Sequence, residues 1–147
     1  MREITRYYAK AAPDFYKYIK VNPGVMQTLE KLKNQGLRMG IVTNRKKMTI
    51  LNYLALNKYF KVKVGYLDVK SHKPFPETIV LALKKIGAKP EEAVYVGDSL
   101  SDFQAASKAG VKVIMYRKPK VTADYSISDF RKVLQIVEAL NSKAVVF

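Results

Sequence analysis

The chain has 147 residues, 48% of them hydrophobic, no cysteine and a formal net charge of +15. That length suits one domain with a sizeable core, and the apolar content excludes a disordered chain. Without cysteine there is no disulfide and no thiolate metal site, and no apolar run is long enough to cross a bilayer. The first ten residues lack the apolar centre of a secretory signal, so a cytoplasmic protein is expected. The basic excess is spread along the chain. Only Arg45-Lys46-Lys47 and Arg117-Lys118-Pro119-Lys120 cluster, and no RNA- or DNA-binding motif accompanies them. A solvated lysine-rich surface, or a partner segment carrying the balancing acids, is expected rather than a nucleic-acid site.

In chain order, residues 1–20 predict an amphipathic helix with Ile4, Tyr7, Tyr8, Phe15 and Ile19 near one face, interrupted at Pro13. Pro23 opens a second helix carrying Val25, Leu29 and Leu32, which Gly36 ends. Residues 37–42 then read as a strand that stops at Thr43-Asn44. A helix is expected over residues 45–56, through Met48, Leu51 and Leu54. Three cations open it, where the macrodipole would favour acids. They suit an anionic ligand nearby, and equally a solvated face. The alternation Lys61-Val62-Lys63-Val64 reads as an edge strand, blunted by lysine.

After Lys73-Pro74 and Pro76-Glu77, a helix is expected to run to Gly87. His72, the one histidine, has no partner at metal-ligand spacing and reads as a loop residue. Residues 93–96 form a short apolar run suited to a strand buried on both faces. Gly97-Asp98-Ser99 turns the chain into a helix that Gly110 ends, and residues 111–116 make another strand. Asp98 and Asp102 thus stand at the carboxyl end of a parallel strand, where open α/β sheets place their ligands. Asp98 and Ser99 would equally serve as helix caps. Ser128-Asp129 caps a final helix reaching Leu140, and the apolar tail Ala144-Val145-Val146-Phe147 follows.

Three stretches carry a resemblance: NPGVMQTLEKLKNQGLRMGIVTN, KPFPE and GDSLSDFQAASKAG. In order and type they resemble the second, third and fourth motifs of the haloacid dehalogenase superfamily, most closely its phosphoglycolate phosphatase group. The resemblance implies a three-layer α/β Rossmann-like fold with a mainly parallel sheet. It implies magnesium-dependent hydrolysis of small phosphorylated metabolites, with Thr43 and Asn44 on the phosphate and Lys73 neutralising its charge. Asp98 would ligate Mg²⁺, and Asp102 would ligate it or support it through water.

The superfamily's first motif, an Asp-x-Asp that supplies the nucleophile, has no counterpart in this sequence. Little turnover is therefore expected of the chain alone. It would act as an inactive phosphatase-like domain, a regulatory anion-binding module, or one subunit of a split enzyme. Residues 1–20 resemble a remnant of a helical cap, and residues 21–147 the core. The strand before the missing motif lies mid-sheet in the family. Residues 143–147 resemble that strand, so a circular permutation would let the tail fill the slot. A frayed tail, a homodimer contact, or a partner chain supplying the strand are the alternatives.

Overall fold

The computed structural model describes residues 16–46, 48–118, 120–140 and 144–147. The helix expected over residues 1–20 lies largely outside them. Among the described residues the elements are α1 (Val25–Asn34), β1 (Gly40–Val42), α2 (Thr49–Tyr53), β2 (Val62–Val64), α3 (Glu77–Ile86), β3 (Ala93–Gly97), α4 (Leu100–Lys108), β4 (Lys112–Tyr116), β5 (Tyr125–Ile127), α5 (Lys132–Ala139) and β6 (Val145–Val146). No helix among the described residues is long and apolar enough to cross a membrane.

Every strand pairing is parallel. β1 pairs with β2, and a second run is ordered β5-β4-β3-β6. The tail joins them. Val145 and Val146 lie opposite Ala93 and Val94 of β3, while Val146 also bridges to Met39, just before β1. The Val146 amide donates to the Arg38 carbonyl at 3.1 Å, the Phe147 amide to Val94 at 2.9 Å, and the Val96 amide to Phe147 at 2.7 Å. The central slot is thus filled by β6, which uses hydrogen bonds on both edges. β2 is an edge strand as expected, with Val62 and Val64 buried and Lys63 half-buried between them.

Alternation along the strands sorts the core onto two faces. Tyr95, Val113, Met115 and Val145 pack with Ile79, Leu83 and Ile86 of α3 and with Ala105 and Ala106 of α4. Val94, Ile114 and Val146 face the other way, against Leu29 and Leu32 of α1 and Val133 and Val137 of α5. Two helical layers therefore enclose the sheet, which makes the three-layer α/β fold. Phe147 sits where only glycine fits opposite: a Cβ on Gly40 would lie 2.6 Å from its ring.

Two expected elements are shorter than their patterns suggest. The helix expected over residues 45–56 forms only at Thr49–Tyr53, and Ala55 then takes a positive φ of 55° as the chain turns into a 3₁₀ turn at Asn57–Tyr59. The last helix begins at Lys132, because Asp129 commits its carboxylate to the Arg131 amide (2.9 Å) and guanidinium (2.6 Å).

Candidate active site

The carboxyl ends of β1 and β3 and the loop before α3 meet around a cavity of about 340 Å³. Val42, Thr43, Lys73, Tyr95, Asp98 and Asp102 line it, and Tyr116 and Phe130, packed edge to face at 5.7 Å, form an apolar wall. The structure thus brings Thr43, Lys73, Asp98 and Asp102, far apart in sequence, to one place. Asn44 is adjacent. Its side-chain amide donates to the Lys73 carbonyl at 3.2 Å and ties the two loops together. The Thr43 hydroxyl oxygen accepts from the Arg45 amide at 3.1 Å, which leaves its proton to donate.

Lys73 and Asp102 form a nearly buried ion pair at 2.6 Å, with side chains only 10% and 7% exposed. The other two ammonium protons point to the Tyr95 hydroxyl (3.1 Å) and, weakly, to the Val42 carbonyl (3.5 Å). Asp102 is saturated. Oδ1 accepts from Lys73 and from the Tyr95 hydroxyl at 3.1 Å; Oδ2 accepts from the Asp98 amide, the Ser99 amide and the Ser99 hydroxyl at 3.2, 3.1 and 2.7 Å. Ser99 is the N-cap of α4 and its hydroxyl accepts from the Asp102 amide, so the pair forms a capping box. The carboxylate lies tight against β3: a Cβ on Gly97 would come within 2.5 Å of Asp102 Cβ.

Of the two carboxylates expected at a metal, only Asp98 is open. It is exposed, and among the described residues its side chain accepts no hydrogen bond. Asp102 faces inward and has no lone pair left to offer a cation. Among the described residues no group of three or more histidine, cysteine or carboxylate side chains converges. His72 stands aside from the chemistry, stacked on Tyr66 with centroids 3.8 Å apart.

Burial pushes the Asp102 carboxyl up, but the Lys73 ammonium, the Ser99 hydroxyl and the Asp98 amide together outweigh it and hold it below its ordinary value of 3.8. Burial also drives the Tyr95 phenol well above its ordinary range, and the charge and hydrogen bond of Asp102 add to the effect. Tyr95 therefore stays a hydroxyl that donates to Asp102. A carboxyl held low stabilises the fold fully above its unfolded value, and that share is lost as pH falls through the folded value. The urea midpoint should accordingly drop below about pH 4 with an acid limb that Asp102→Asn makes shallower. Equal limbs in the two proteins would show that this carboxyl does not carry the effect.

Motif reasoning on the sequence does not single out Tyr95 and Ser99 for this site. A tyrosine in a strand buried on both faces is the available signal, since a buried phenol needs a hydrogen-bond partner.

The family model for haloacid dehalogenase-like hydrolases matches residues 1–116. The pyrophosphatase PpaX of Oceanobacillus iheyensis is 30% identical over 92% of this chain and 69% of its own. The phosphoglycolate phosphatase of Salmonella typhimurium is 39% identical over 71% of this chain, but only 42% of its own length is covered. Among solved structures, a HAD phosphatase from Thermococcus onnurineus superposes with a TM-score of 0.81 at 31% identity, over 88% of this chain and 64% of that one. A HAD-superfamily hydrolase of subfamily IA from Geobacter sulfurreducens gives 0.80 at 29%, over 84% and 59%. The chain spans less than two thirds of the length of most of these relatives. A matched model over most of the sequence, a relative at 30% identity over most of both chains and a solved fold that superposes closely agree: the chain belongs to the haloacid dehalogenase-like hydrolases.

Proposed function

We propose that the chain supplies the phosphate-handling part of a magnesium-dependent phosphoric monoester hydrolase for small phosphorylated metabolites, and that residues 1–147 alone bind an anion without turning it over. The observation that carries this reading is the meeting of the buried Lys73 ammonium, the Thr43 hydroxyl and the open Asp98 carboxylate around one cavity. The phosphatase and pyrophosphatase relatives support phosphoryl chemistry as the class.

In this reading Thr43 donates its free proton to a phosphate oxygen, and the Asn44 amide adds a backbone donor. Lys73 turns toward the same oxygens the proton now aimed weakly at Val42. Its charge, placed in advance and shielded from water, offsets charge as it develops on the phosphoryl group. Asp98 fits a cation that takes few protein oxygens and keeps several waters, so Asp98 would hold Mg²⁺, and with so few ligands hold it weakly. Bound there, the metal supplies further neutralisation of the phosphoryl charge. Asp102 stays on Lys73 and orients it rather than entering the metal's shell. Residues 1–20 are assigned to a cap remnant and 21–147 to the core. The nucleophile is the missing part, since no Asp-x-Asp occurs in the 147 residues. A partner chain that brings one is the second reading, favoured by the cavity lying beside the end of β6. Mass spectrometry of a natively purified complex tests it.

The anion site is tested by calorimetry with inorganic phosphate or tungstate. Lys73→Ala should weaken binding by at least ~1.5 kcal/mol, the low end for a hydrogen bond to a charged group. Thr43→Val, which disturbs no ion pair, should cost about 1 kcal/mol. Affinities unchanged in both variants would remove the anion site.

A further inference from the structure

We propose that Tyr95 is a positioning residue, whose hydroxyl between Lys73 Nζ and Asp102 Oδ1 fixes the orientation of the lysine ammonium and thereby the affinity of the site for anions. The inference rests on the anion site proposed above and assigns a further residue to it.

The geometry is that of a three-point clamp. A lysine ammonium has three protons on a stem of four rotatable bonds, and without fixed acceptors it rotates and swings. Here Asp102 takes one proton at 2.6 Å and the Tyr95 oxygen takes a second at 3.1 Å. Two fixed acceptors leave the third proton one direction. That direction is toward the Val42 carbonyl, at 3.5 Å a poor hydrogen bond and so an easily exchanged one. Val42 is the residue before Thr43, so the spare proton points at the strand end where the phosphate is to bind. Tyr95 itself cannot drift. It is 3% exposed, its ring is packed in the core layer beneath α3 and α4, and it has few rotatable bonds. Its own proton goes to Asp102 Oδ1. Oδ1 is thereby shared between two donors, and the ammonium is not drawn wholly onto it.

Phenylalanine at this position keeps the ring and its packing and deletes only the hydroxyl. The ammonium then keeps Asp102 but loses the second anchor, and the third proton is no longer aimed.

The test is Tyr95→Phe, followed by calorimetry with inorganic phosphate and by the ammonium resonance of Lys73 in nitrogen-15 NMR, assigned with Lys73→Met. The wild-type protein should show a slowly exchanging Lys73 ammonium signal without any phosphate present, and Tyr95→Phe should broaden or abolish it. The phosphate dissociation constant should rise about threefold to tenfold, as one net hydrogen bond implies. A merely structural tyrosine would lower the melting temperature and leave both readouts where they were, which would overturn the proposal. A persistent, unshifted ammonium signal in Tyr95→Phe overturns it as well. If the wild-type protein binds no phosphate, the anion site fails, and the ammonium signal still decides whether Tyr95 fixes Lys73.

Discussion

Removal of residues 144–147 should abolish cooperative unfolding at room temperature or lower the melting temperature by about 15 °C or more, since one kcal/mol moves a domain of this size by roughly 2–4 °C. All four side chains are buried, with Val145 at 0% and Phe147 at 8% exposure. Two valines and a phenylalanine at about 1.5–3 kcal/mol each would be lost, an upper figure because unfolded chains are partly collapsed. The stability of a whole domain is only about 5–15 kcal/mol, so the loss is of comparable size. The backbone adds to it. The Arg38 and Val94 carbonyls and the Val96 amide would lose their partners in the middle of the sheet. Circular dichroism on heating reads the effect directly. A melting temperature equal to that of the full chain would mean that β6 is not seated between β1 and β3.

Extending the chain should do the reverse and create function. The register pairs Val145 with Ala93 and Val146 with Val94, so a residue added after Phe147 falls opposite Val96, two positions short of Asp98. Appending Asp-Leu-Asp-Gly-Thr would set a carboxylate at the cavity that Thr43, Lys73 and Asp98 already line. We expect magnesium-dependent hydrolysis of p-nitrophenyl phosphate at about a hundredfold or more over the unextended chain, the scale on which a single well-placed group contributes. Asparagine at the first added position should return the rate to background. A folded extension with no gain over the parent would sink the view that only the covalent acceptor is lacking.

The parallel layers are legible in the amino-acid sequence, because Gly36, Gly87 and Gly110 each end a helical pattern and an apolar run follows each one. The strand-end residues Thr43 and Asp98 are legible for the same reason: they mark where apolar runs stop. The family resemblance points to Lys73 as well, but not to how it is held. Its partner Asp102 and the hydroxyl of Tyr95 come from two other elements, and no spacing rule relates residue 73 to residue 95. The two aspartates look equivalent in sequence, four apart at a helix start. Which one turns inward is decided by the space Gly97 leaves and by the Ser99 cap, both three-dimensional facts. Asn44 is expected at the phosphate with a backbone or side-chain donor. Its side-chain amide donates to the Lys73 carbonyl and ties two loops together, which leaves the backbone amide as the donor to a phosphate. The helix expected from residue 45 starts late for a similar reason. The chain there is engaged in the strand-end turn, where the Arg45 amide donates to Thr43.

The placing of β6 also bears on the order in which the molecule assembles. Met39 and Val146 are neighbours in the sheet although most of the chain lies between them. Val145 and Val146 likewise reach back across several elements to β3, whereas the remaining pairings join strands that follow one another closely, as β1 with β2, β3 with β4 and β4 with β5. Closing the long loop costs entropy that the short crossovers do not incur, so the two halves of the sheet form early and their joint forms last. Until then β1 and β3 each present an unpaired edge, with a seat shaped for one short apolar segment. A neighbouring copy carries the identical segment and the identical Phe147 to sit against Gly40. A strand exchanged between two chains in concentrated solution would therefore cross at this joint, the last to close.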